Sequence, residues 1–158
     1  QNLLNILDTL GIHYQKFEHP PVFTCDEAEL HGKHIPGLQN KNLFLRNKLG
    51  TQYYLVTLPA SKKLDIKKLT QLLGESKLSF AAPEKMDFYL KLTPGSVSPF
   101  GLIYDSEHHV KIMVDVDIWN AERLQFHPNI NTGTLVVSQA DYRKFLESRG
   151  NEVKVLEL

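Results

Sequence analysis

Lys41-Asn42-Leu43-Phe44-Leu45-Arg46-Asn47-Lys48-Leu49-Gly50-Thr51-Gln52-Tyr53-Tyr54-Leu55-Val56-Thr57-Leu58 is the stretch from which the fold is read. Lys41 to Leu45 and Gln52 to Leu58 are runs of strand formers, and Asn47-Lys48-Leu49-Gly50 between them has the composition of a hairpin turn. The pattern predicts two neighbouring strands.

Working outward, Ile66, Leu69, Leu72 and Leu73 recur at helical spacing and Gly74 ends that helix, while Pro83 stands where a first-turn proline opens the next one, carrying Phe88 and Leu90. Val110, Ile112, Val114 and Val116 alternate with Lys111, Met113 and Asp115, which predicts a strand over Val110 to Val116. Thr134 to Val137 is a further strand. Ser138 with Asp141 forms a capping pattern for a helix through Tyr142, Phe145 and Leu146 that Gly150 closes, and Glu152 to Leu158 reads as a last strand.

Upstream, Leu3, Leu7 and Leu10 share a helical stripe that Leu4 and Ile6 widen and Gly11 stops; Tyr14 to Glu18 is extended. Pro20-Pro21 breaks periodicity, and Thr24 is placed to cap a brief helix from Cys25-Asp26-Glu27-Ala28. Strands and helices alternate irregularly, which predicts an α+β (mixed α/β) fold with helices packed on a mixed sheet.

With 158 residues, 42% of them hydrophobic, the chain is long enough for one substantial core, so a single domain over 1–158 is expected. It opens on Gln1 rather than methionine, which suggests a few preceding residues. Cys25 is the sole cysteine, and no local nucleophile motif surrounds it; together with the absence of a long apolar run or a basic leader, this points to a soluble, cytoplasmic protein without membrane attachment.

The formal charge is zero, which argues against a purely electrostatic nucleic-acid binder. Yet between Lys41 and Lys77 eight basic residues face two acidic ones. Such a stretch is either a basic surface for one end of an RNA or a solvated helix face with turn lysines.

His31 with His34, and His108 with His109, are the pairs that invite a metal, but neither has the remaining ligands of a zinc site. Three segments carry other chemistry. Thr93 to Leu102 holds two glycines and two prolines and can bring main-chain N–H donors to a negative oxygen, or be an ordinary turn; it lacks the lysine and hydroxyl of a P-loop. His127-Pro128-Asn129-Ile130-Asn131-Thr132-Gly133-Thr134 is polar and leads into a strand, as cleft-lining segments and plain turns both do. Lys41 opens an apolar strand, either as a solvated end or as an ammonium directed at phosphate or a polarised carbonyl.

Lys41-Asn42-Leu43-Phe44-Leu45, the Gly95-x-x-x-Pro99-x-Gly101 loop and His127-Pro128-Asn129 together resemble, in order and spacing, the YbaK/prolyl-tRNA synthetase editing-domain family, over nearly the whole chain. The closest likeness is to its free-standing prolyl-tRNA deacylase branch. The resemblance implies a mixed, partly barrel-like sheet surrounded by helices, no metal, no organic cofactor, and hydrolysis of misacylated tRNA, alanyl-tRNA for proline above all. It implies catalytic roles for Lys41, Gly95, Ser98, Pro99, Gly101 and His127 and substrate contacts from Thr24, Asn42, Phe100 and Asn129. Lys41 would hold the tRNA end and His127 would border the amino acid. The expected partners are the acceptor end of proline tRNA and, transiently, prolyl-tRNA synthetase or an elongation factor. Deacylation of cysteinyl- or seryl-tRNA and a non-catalytic tRNA- or synthetase-binding module are the alternatives.

No Ser-His-Asp or Cys-His arrangement is evident, and hydrolysis of an activated ester needs a placed water and a stabilised oxyanion; the resemblance implies that amides of Gly95 to Gly101 hold the oxyanion and that the substrate's neighbouring ribose hydroxyl helps orient or activate the water.

Overall fold

The computed structural model describes residues 2–18, 35–94, 96–128 and 133–158. The Thr24-capped helix, Cys25, the His31/His34 pair, Gly95 and Asn129 lie outside these residues.

The hairpin forms as its sequence requires. β2 (Asn40–Asn47) runs antiparallel to β3 (Tyr53–Pro59), from Asn40 opposite Pro59 to Arg46 opposite Tyr53. Asn47 closes the turn: its Oδ1 accepts from the Thr51 and Gln52 amides at 2.9 and 3.2 Å, and Gly50 takes the left-handed φ of 70° that a side chain resists.

Around the hairpin assembles a five-stranded mixed sheet of order β4-β2-β3-β5-β8. β4 (Leu78–Phe80) pairs antiparallel with β2, whereas β5 (Val110–Asp115) is parallel to β3, and β8 (Val153–Leu156) is parallel to β5. Parallel neighbours need crossovers. The β3–β5 crossover holds α2 (Ile66–Leu73), β4, α3 (Pro83–Leu90) and a 3-10 turn over Pro99–Tyr104. The β5–β8 crossover holds α4 (Val116–Trp119), β6 (Arg123–Phe126), β7 (Gly133–Ser138) and α5 (Gln139–Arg149). A smaller antiparallel sheet has the order β1-β7-β6, with β1 at Tyr14–Glu18; α1 (Asn2–Thr9) precedes it.

Helix ends follow local chemistry. Asp65 caps α2 by accepting from the Lys68 amide, Pro83 opens α3, and Ser138 caps α5 by accepting from the Asp141 amide at 3.2 Å.

Alternation divides the core between two faces of the larger sheet. Phe44, Leu55, Ile112 and Val114 pack between the sheets with Leu124, Phe126, Leu135 and Val137, joined by Leu3 and Leu7 of α1 and Tyr142 and Phe145 of α5. Leu45, Tyr54, Val56, Leu58 and Met113 face the other way, onto Leu69 and Leu78. Each fully buried leucine of this kind contributes about 1.5–3 kcal/mol.

The two sheets meet at one seam. Leu38 bridges Leu124 in parallel register; its amide donates to the Arg123 carbonyl at 2.9 Å, and the Gln125 amide donates to the Leu38 carbonyl at 3.3 Å. The chain passes from the edge of the smaller sheet straight into β2. The described strands do not close into a barrel.

Several expectations shift. Val116 leaves the strand and opens α4, and β5 is buried on both faces, Asp115 included, because it lies inside the sheet between β3 and β8. Asp115 is tolerated there because Lys62 Nζ donates to its Oδ2 at 2.8 Å and the Leu158 amide lies 3.3 Å from Oδ1. Lys62 also reaches Asp117 at 3.6 Å, so this member of the basic stretch is committed to carboxylates.

Candidate active site

Asn40, Lys41 and Asn42 stand at the seam. Asn40 Nδ2 donates to the carbonyls of Leu38 at 3.1 Å and Gln125 at 2.8 Å; Asn42 Nδ2 donates to Asn40 Oδ1 at 3.1 Å, and the Thr57 hydroxyl donates to Asn42 Oδ1 at 2.6 Å. These side chains share the inner face with Phe44. By alternation Lys41 lies on the opposite face, with Leu43 of the second cluster.

On β6 the same rule puts Leu124 and Phe126 inside, and Gln125 and His127 outside. Leu38 and Leu124 are bridge partners and both pack on the inner core, so the faces are continuous across the seam. Lys41 and His127 therefore share the outer face on adjoining segments, with Gln125 on that face as well. Gln125 Nε2 donates to the carbonyls of Ile35 at 2.8 Å and Gly37 at 3.2 Å, fastening the approach to β2 onto this face. Gly37 is required there: its φ is 103°, and a Cβ would come 3.2 Å from the Leu124 main chain.

His127 Nδ1 lies 3.2 Å from the Gly133 carbonyl oxygen. A carbonyl only accepts, so this contact assigns the proton of the neutral ring to Nδ1 and the lone pair to Nε2.

The glycine- and proline-rich loop is more occupied than its composition suggests. The Ser96 amide donates to Thr93 O at 3.1 Å, the Phe100 amide to Ser98 Oγ at 3.1 Å, and the Gly101 amide to Ser98 O at 3.1 Å. Between Ser96 and Gly101, only the main-chain N–H groups of Val97 and Ser98 are left without an acceptor. The donors expected from Gly95 to Gly101 narrow, among the described residues, to these two.

Ser98, Pro99, Phe100 and Gly101 are buried. Ser98 uses its hydroxyl oxygen to cap the 3-10 turn, and Pro99 begins that turn. A Cβ on Gly101 would meet Leu92 Cδ1 at 2.8 Å, Leu90 Cβ at 3.0 Å and Leu90 O at 3.2 Å, so glycine here permits the turn to lie against the end of α3. Phe100, 1% exposed, packs edge-on to Phe126 at 5.7 Å and Phe145 at 5.0 Å. Its ring anchors the loop in the core and ties it to the residue preceding His127. Asn42 spends its carbonyl oxygen and one amide hydrogen inside the polar run. Lys41 and His127 alone among the expected residues share the outer face within the described chain. Gln125, Asn40 and Thr57 are absent from the sequence expectations; the signals were a glutamine between Leu124 and Phe126 and a threonine inside the apolar run of β3.

Comparison with known proteins gives the family. The family described as the aminoacyl-tRNA editing domain matches residues 19–145. The chain belongs to that family. It is 39% identical over 158 residues to the prolyl-tRNA editing protein ProX of Acetoanaerobium sticklandii, covering 100% of this chain and 96% of the relative. It is 32% identical over 154 residues to the prolyl-tRNA synthetase associated domain-containing protein 1 of Bos taurus, covering 95% and 90%. The crystal structure of hypothetical protein APE2540 superposes with a TM-score of 0.75 at 19% identity, covering 97% of each chain, a likeness of fold. The expected family, the α+β fold and an aminoacyl-tRNA deacylase class of enzyme are thereby borne out. No helix among the described residues is long and apolar enough to cross a membrane.

Proposed function

We propose that this chain, as one editing domain over 1–158, hydrolyses the ester of alanyl-tRNA formed on proline tRNA, acting in trans in the cytoplasm. The observation that carries the reading is the bond from the Asn40 side chain to the Gln125 carbonyl, which joins the strand of Lys41 to the strand leading into His127; strand alternation then turns both residues outward. An ammonium and an imidazole held by adjoining segments suit a ligand with a phosphate at one end and a small amino acid at the other.

Lys41 binds the phosphate backbone of the tRNA end. The amides of Val97 and Ser98 stabilise the oxyanion as water attacks the ester carbonyl. The ribose hydroxyl beside the ester orients that water. The carbon–oxygen bond to the ribose then breaks, its oxygen takes the proton, and free alanine and uncharged tRNA leave. His127 borders the amino acid and limits its size. Such a second sieve is needed because a synthetase gains only about 1–3 kcal/mol per missing methylene against a smaller amino acid. Prolyl-tRNA synthetase or an elongation factor would meet the protein only transiently.

The test is a panel of purified alanyl-, cysteinyl-, seryl- and prolyl-tRNA. Hydrolysis of the alanyl ester with prolyl-tRNA left intact supports the reading. Preference for the cysteinyl or seryl ester reassigns the substrate, and binding without hydrolysis of any of them reduces the chain to a tRNA-binding module. A deoxy-terminated alanyl-tRNA hydrolysed at the ordinary rate would remove the ribose hydroxyl from the mechanism.

A further inference from the structure

The inner face of the seam carries a run of polar side chains where neighbouring positions supply Phe44, Tyr53 and Leu55 to the core. It starts at Thr57 on β3, beside the buried Tyr142 of α5, passes through Asn42 and Asn40, and ends on two main-chain carbonyls. Thr57 is 0% exposed and Tyr142 1%. A valine at position 57 would have the same outline without a hydroxyl to satisfy, so packing does not account for the threonine.

Each link has a fixed direction. The carbonyls of Leu38 and Gln125 only accept, so Asn40 must turn its amide toward them, at 3.1 and 2.8 Å, and its oxygen away. That oxygen receives Asn42 Nδ2 at 3.1 Å, which leaves Asn42 Oδ1 to receive the Thr57 proton at 2.6 Å. The asparagines so oriented are the residues on either side of Lys41. Their side chains lock the main chain of the ammonium-bearing residue to β3 through Thr57 and to β6 through Gln125.

We propose that Thr57 is a positioning residue for Lys41: through Asn42 and Asn40 it sets where the ammonium stands relative to His127 on the outer face. The proposal rests on the deacylase reading above.

Thr57→Val keeps the shape and removes the donor; Thr57→Ser keeps the donor. Both, with Lys41→Ala and the double variant Lys41→Ala/Thr57→Val, are assayed for alanyl-tRNA deacylation, for thermal melting, and for affinity toward the 5′-phosphate of 3′-alanyl adenosine with an amide in place of the ester, whose phosphate is the group Lys41 holds. Thr57→Val is expected to lower kcat on the order of tenfold with KM little changed, since small displacements of a positioned group cost rate steeply. Thr57→Ser restores the rate. In the Lys41→Ala background, adding Thr57→Val lowers neither the residual rate nor the amide affinity further, because the group it positions is gone.

An equal loss with and without Lys41 overturns the proposal, as does full activity of Thr57→Val. If Thr57→Val does not fold, Asn40→Asp replaces it: a carboxylate cannot donate to the two carbonyls, and a loss confined to the Lys41-bearing protein is again required. Failure of the underlying reading looks different, since the unmodified protein would then leave alanyl-tRNA intact.

Discussion

The side-chain amide of Asn40 donates to the Gln125 carbonyl at 2.8 Å, and this bond joins the strand that carries Lys41 to the strand that runs out at His127. Lys41 and His127, 86 positions apart in sequence, are thus brought onto adjoining segments through the main chain, before any pocket-lining side chain is considered.

Lys41→Ala removes a charge from an outer-face position, not from either core cluster. Deacylation of alanyl-tRNA should fall by about ten- to a hundredfold, the range for losing a hydrogen bond to a charged group. The melting temperature should stay put. Full activity would return Lys41 to the role of a solvated strand end.

His127→Ala enlarges the space beside the amino acid. Selectivity for alanyl-tRNA over esters of larger residues should drop by about tenfold, the scale of discrimination by one methylene-sized contact. The comparison is of kcat/KM for alanyl- and prolyl-tRNA; a ratio equal to that of the unmodified protein contradicts the assignment.

Gly101→Ala inserts a methyl against the Leu90 main chain, which cannot swing aside as the Leu92 side chain can. Overpacking of this sort costs about 1–3 kcal/mol. Urea unfolding should show the loss, and an unchanged midpoint would mean the turn shifts freely away from α3.

Tyr142→Phe deletes a hydroxyl that is fully buried and completes no hydrogen bond of its own beside Thr57, burial driving its pKa well above the ordinary tyrosine value. Removing such a group relieves desolvation, so stability should stay within about 0.5 kcal/mol of the parent or rise. A loss above about 1 kcal/mol in urea would show that Thr57 does satisfy it.

The hydrogen bond from Lys62 to Asp115 is the largest cause raising the ammonium's pKa above its ordinary 10.5. A group raised on folding stabilises fully below its unfolded value and loses that contribution as pH climbs through the folded one. The stability gap between the parent and Lys62→Met should therefore be flat through neutral pH and narrow above about pH 10.5. Denaturant titrations on both sides of that pH check it; a gap that persists at higher pH argues against the ion pair as its source.

Much of the local fold was legible because its signals are local. The Asn47 to Gly50 turn, the Pro83 start, the Ser138 cap and the Gly74 and Gly150 stops each rest on chemistry within a few residues. β4 and β6, at three and four residues, are too short to show periodicity, and the 3-10 turn hid inside a loop whose prolines and glycines read as open. Strand order and the parallel pairings depend on contacts distant in sequence. At the site, Lys41 and the segment of His127 stood out by their residues, and the family resemblance gave them roles. Asn40, Thr57 and Gln125 were missed because a polar residue on a strand reads as solvent-facing unless the partner strand is known, and the burial of Phe100 was not legible because an aromatic in a loop of glycines and prolines gives no sign of facing the core.

The seam at Leu38 to Asn42 has an evolutionary corollary. Because main-chain bonds and inward asparagines govern the spacing of ammonium and imidazole, outward residues around them are at liberty to diverge. One scaffold can then acquire a taste for a different amino acid by exchanging those neighbours while its reactive geometry is inherited intact.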